Sequence, residues 1–115
     1  MREYMPTVVN KVINEFVSSI SSLLGQRLKK VILYGSYARG DYDKNSDIDI
    51  MILTDLNDRE IIEYRTKIRE MACDLEIEND VTISPIVRNI EKYNARIDVI
   101  PFYDNVQKEG VILFG

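Results

Sequence analysis

Apolar residues recur at helical spacing near the start of the chain. Val8, Val9, Val12, Ile13, Phe16, Val17, Ile20, Leu23 and Leu24 make one broad stripe behind Pro6, which suits a first turn, and Gly25 is placed to end the helix. The pattern then changes. Val31 to Tyr34 is a short run rich in β-branched and aromatic residues, as expected of a buried strand. Gly35 breaks it, the next few residues can make one or two helical turns, and Asp41 to Ser46 is polar and turn-prone. Asp47 to Leu53 predicts a second strand. A long helix begins at Asp58, with Ile61, Ile62, Ile68, Met71, Ala72 and Leu75 at helical spacing. Val81 to Val87 predicts a third strand, in which Pro85 suits an edge position or a strand end. A polar connection leads to Pro101 and a short helix to about Lys108. Gly110 ends that helix, and Val111 to Phe114 can add a fourth strand. Helices alternating with strands predict an α/β (α+β) fold: a small mixed sheet of three to four strands packed with helices, one domain over residues 1–115.

Composition narrows the chemistry. Apolar residues make up 45% and charged residues 30%, which is ordinary for a globular domain and argues against disorder. A net charge of −4 and a pI near 4.8 argue against general nucleic-acid binding, which rests on clustered Lys and Arg. Nucleotides stay open, because a metal ion can supply the missing positive charge. The chain has no histidine, which removes His general bases, Ser-His-Asp and Cys-His nucleophiles and His-ligated zinc together. The single Cys73 cannot form an internal disulfide, and its place in an apolar helical pattern reads as a buried structural thiol. No apolar run is long enough to cross a membrane and the N-terminus lacks a signal-peptide core, so a cytoplasmic location is expected.

Two features carry chemistry. Gly35 closes the first strand, where a glycine lets the backbone approach a phosphate and adopt positive φ. A helix starting there would aim free N–H groups at the same spot, and the Ser36 hydroxyl can bind a phosphate oxygen or cap that helix. Alternation in the second strand puts Asp47 and Asp49 on one face, their α-carbons roughly 6.6 Å apart, while Ile48, Ile50 and Ile52 take the other. Aspartate is depleted in strands, and two like charges beside a core repel; a divalent cation held by oxygen ligands, magnesium or manganese, would relieve both costs. Alone, each feature has a plain alternative: a strand-to-helix turn that binds nothing, or a solvated strand end.

In combination they resemble a known family, the minimal nucleotidyltransferases of the DNA polymerase β-like superfamily. The shared pattern is Gly35-Ser36, ten residues from Tyr37 to Ser46, then Asp47-Ile48-Asp49, within Leu-Tyr-Gly-Ser-Tyr-Ala-Arg-Gly and Ser-Asp-Ile-Asp-Ile. The resemblance implies a nucleotidyltransferase-like fold and transfer of a nucleoside monophosphate from an NTP, with ATP the expected donor, to an acceptor hydroxyl. It implies that Asp47 and Asp49 bind two Mg2+ ions and that Gly35 and Ser36 hold the triphosphate. Arg39, near the start of the short helix, could reach phosphate oxygens as a fork donor or equally pair with a surface acid. The resemblance also implies a third carboxylate from the next strand, as metal ligand and candidate base; Asp80 is the candidate and Glu78 its rival. Tyr34 and Tyr37 could stack on a base or pack in the core. Small members of the family work beside a separately encoded helical partner of the HEPN type as antitoxins, which makes a hydroxyl on such a partner a candidate acceptor. The competing expectation is a non-catalytic binding module that neutralises its partner by contact and keeps a vestigial nucleotide site.

Overall fold

The computed structural model describes residues 5–115; the first four residues of the expected 1–115 domain lie outside the described residues. Four strands form one sheet: β1 (Leu28–Tyr34), β2 (Ile48–Thr54), β3 (Ile83–Asn89) and β4 (Val111–Phe114), in the order β3-β2-β1-β4. β1 runs antiparallel to both β2 and β4, while β2 and β3 are parallel, so the sheet is mixed as the alternating pattern predicted. The parallel pair needs a long crossover, and α3 (Asp58–Asn79) supplies it. β3 lies at the sheet's edge, where Pro85 costs no ladder hydrogen bond on its outer side.

Helix α1 (Thr7–Leu24) buries Val9, Val12, Ile13, Phe16, Ile20 and Leu24, the inner positions of the sequence stripe. Together with α3 it covers one face of the sheet, packing on Val31, Leu33, Ile48, Ile50 and Ile52. The other face carries a smaller cluster of Ile32, Tyr34, Met51 and Leu53, closed by Tyr93 of α4 (Ile90–Arg96) and Val106 of α5 (Pro101–Glu109). β1 and β2 thus send alternate residues into two separate cores. A capping box starts α3: the Glu60 N–H donates to Asn57 Oδ1, and the Asn57 N–H donates to Glu60 Oε1. Among the described residues, no helix is long and apolar enough to cross a membrane.

Three local expectations change. α4 occupies what reads as a polar connection, started by Asn89, whose side chain accepts from the Lys92 N–H. The second strand begins at Ile48, leaving Asp47 in the loop end. Cys73 is only partly buried; it faces the groove between α3 and β3 rather than the core.

Candidate active site

The end of β1 and the start of β2 meet because the two strands are antiparallel neighbours, with Tyr34 opposite Asp49. Alternation aims Asp49 toward the α5 face, with Met51 and Leu53 behind it in the smaller core. Gly35 follows Tyr34 with φ +79°, and a Cβ at that position would lie 2.2 Å from Asp49 Oδ2. Only glycine lets this turn and this carboxylate share the space. Helix α2 (Ser36–Arg39) then makes a single turn, with the N–H groups of Ala38 and Arg39 directed back to the Gly35 carbonyl.

A hollow of about 330 Å³ opens here, lined by Tyr34, Gly35, Ser36, Arg39 and Asp49 and by Phe102, Asn105 and Glu109 of α5. Larger hollows of about 800 and 820 Å³ lie between α3 and β3 and between the start of α3 and α4. Neither contains the aspartates or the glycine turn, so size does not locate the chemistry. Asp49 is half-buried, and its carboxyl is pushed up to about 6, first by desolvation and then by the charge of Asp47, against the lowering pull of Arg39. Burial likewise pushes the Tyr34 phenol up to about 12. Asp47 is exposed and accepts a long hydrogen bond, 3.4 Å, from the Ser84 hydroxyl.

Gly35, Ser36, Arg39 and Asp49 therefore share one hollow, with Asp47 beside it. Asp80 does not join them. It caps the C-terminus of α3 in the left-handed region (φ 53°, ψ 51°), and Glu78 lies exposed in the last turn of that helix. β3 begins only at Ile83, and the residue in register with Asp49 is Ser84. Among the described residues, no three acidic or thiol side chains are grouped as a metal cage. Tyr37 is buried and stacked on Tyr42, whereas Tyr34 meets Phe102 edge to face at the mouth of the hollow.

The sequence reading missed Glu109. Its Oε2 accepts the Gly35 N–H at 2.7 Å and the Arg39 Nη1–H at 2.9 Å. Arg39 is also held by Asp41, which with Glu109 raises its already high pKa further. A contact spanning 74 residues leaves no periodic signal in the sequence.

Residues 12–113 match the family model described as nucleotidyltransferase domain. The chain is 41% identical over 104 residues to "Putative protein adenylyltransferase MJ0604" of Methanocaldococcus jannaschii, covering 90% of this chain and 96% of that one. The fold is similar to that of a chain in a structure described as a toxin-antitoxin with AMP-PNP, at TM-score 0.57 and 21% identity, covering 90% and 73% of the two chains. It is also similar to a structure described as a putative minimal nucleotidyltransferase, at TM-score 0.56 and 19% identity, covering 95% and 97%.

Proposed function

We propose, from the premise that this chain belongs to the nucleotidyltransferase domain family, that it transfers AMP from ATP to a hydroxyl on a separate protein. The observation that supports this reading is the close approach of Asp49 Oδ2 to Gly35, near enough that a Cβ there would lie 2.2 Å from it. In this reading the Gly35–Ser36 turn and the Arg39 guanidinium bind phosphate oxygens, and Asp47 and Asp49 hold Mg2+. The donor set fits such an ion. Both ligands are carboxylates, one is half-buried with its ionised form disfavoured, and the charge of its neighbour adds to that cost.

The acceptor hydroxyl gives up its proton to solvent as its oxygen attacks the α-phosphorus in line, the bond from that phosphorus to the bridging oxygen breaks, and pyrophosphate leaves. When bound, the metal stabilises the charge on the entering and leaving oxygens. The chain's own contribution is positioning: the turn fixes the phosphates against β1, and the half-buried Asp49 is held where water is partly excluded. Asp80, the third acid that the resemblance implies, would have to act from a helix end rather than from β3.

The similar fold of a toxin-antitoxin complex chain supports a protein partner, and a helical HEPN-type toxin carrying an acceptor hydroxyl is the partner in this reading. Purified protein, magnesium, α-labelled ATP and that partner test it. Label should reach the partner, and Asp47→Asn should abolish the transfer. The second reading, a binding module without catalysis, draws on the two-carboxylate site. It would be supported if Asp47→Asn still neutralised the partner and no label moved in either protein.

A further inference from the structure

Glu109 engages two donors at the edge of the hollow. One carboxylate oxygen takes both the Gly35 N–H and the Arg39 guanidinium, at 2.7 and 2.9 Å. These are the donors that the proposed function gives to the triphosphate, and an oxygen cannot share them with a second anion at the same point. We infer that Glu109 is a built-in competitor, an autoinhibitory contact that a nucleoside triphosphate must displace; this inference rests on the proposed function above.

The backbone next to Glu109 is packed closely. A Cβ on Gly110 would lie 2.4 Å from Ile32 Cγ2 and 2.4 Å from the Val106 carbonyl oxygen, so the chain is seated directly on β1 and α5. The side chain has a path to water, being 24% exposed. Release is therefore a rotamer change that swings the carboxylate into water, and the freed Arg39 can follow the phosphate. Charge adds a second consequence. Glu109 and Asp49 line the hollow and Asp47 stands beside it, so a metal-free triphosphate meets three carboxylates and is rejected.

The test is calorimetric titration of the full chain and Glu109→Gln with a non-hydrolysable ATP analogue, with magnesium and with EDTA. Glutamine keeps an acceptor for the Gly35 N–H but removes the charge. Binding should tighten on the order of tenfold in the variant, with the larger gain in EDTA. Melting temperatures check the fold, and Glu109→Ala is read instead if the glutamine variant is unfolded. Affinity that is unchanged or weakened in a folded variant overturns the inference alone, and makes Glu109 a support for the turn. Absence of magnesium-dependent binding in the wild-type chain overturns the proposed function, and the inference with it.

Discussion

Replacing Asp49 by asparagine should remove the chemistry and at the same time stabilise the fold. The folded protein holds this carboxyl near 6 instead of its ordinary 3.8, so the ionised form is penalised relative to the unfolded chain by at most roughly 3 kcal/mol. The side chain is only half-buried and water screens its neighbours, so about 1 kcal/mol is the expected gain at neutral pH. For a domain of this size that is about 3–5 °C in Tm. The pH dependence has a definite sign. Only well below pH 3.8 do both states carry the proton and the penalty vanish; it grows as the pH rises through about 4 to 6 and is complete above. Thermal melts of wild type and Asp49→Asn, without metal, should therefore converge toward about pH 3 and diverge by pH 7.5, the variant melting higher. Adding magnesium at pH 7.5 should raise the wild-type Tm and leave the variant unmoved. A variant that melts no higher than wild type at pH 7.5, or a gap that stays undiminished down to about pH 3, would refute the argument.

Three further substitutions probe separate parts of the design. Gly35→Ala puts a Cβ on Asp49 Oδ2 at a backbone φ of +79°, and should cost roughly 2 kcal/mol in urea unfolding and abolish magnesium-dependent nucleotide binding. Asn57→Ala removes the capping box of α3 and should cost about 1 kcal/mol, while nucleotide affinity measured by calorimetry stays at the wild-type value. Asp80→Asn suits the left-handed helix cap and should change stability by less than about 0.5 kcal/mol, with label transfer retained. Lost transfer in a folded Asp80→Asn protein would instead make Asp80 the third carboxylate.

What was legible in the sequence is what is local or periodic. The stripe from Val9 to Leu24, the alternation Ile48-Asp49-Ile50-Met51 and the break at Gly35 each state their own element, because burial follows the period of a helix or strand. The turn and the acids could be paired because the antiparallel neighbourhood of β1 and β2 brings two ends only a short loop apart into contact. The seven-residue α4 was missed because Ile90 and Tyr93 give too few apolar positions to set a helical period. Asp80 reads as an acid at the mouth of a strand because it precedes a β-branched run. The chain instead uses that residue to leave the helix, and the strand starts three residues later. Nothing local connects Glu109 to Gly35; that contact exists only once β4 pairs with β1 and draws α5 over the turn.

The acidic balance of the chain acquires a local meaning from this arrangement. The hollow lined by Gly35 and Arg39, the donors that the proposed function gives to phosphate, is also edged by Asp49 and Glu109, with Asp47 alongside. Attraction by the turn is short-ranged and depends on hydrogen-bond geometry, whereas repulsion between the acids and a triphosphate acts over a Debye length of about 8 Å in physiological salt. Approach of a bare nucleotide is therefore opposed before the favourable contacts can form. A cation accompanying the nucleotide reverses that balance by neutralising both partners at once, so the same carboxylates that exclude one form of the nucleotide select the other. On the proposed function, discrimination by the metal would begin at binding, ahead of any chemical step, and the ratio of affinities with and without magnesium is the measurement that tests it.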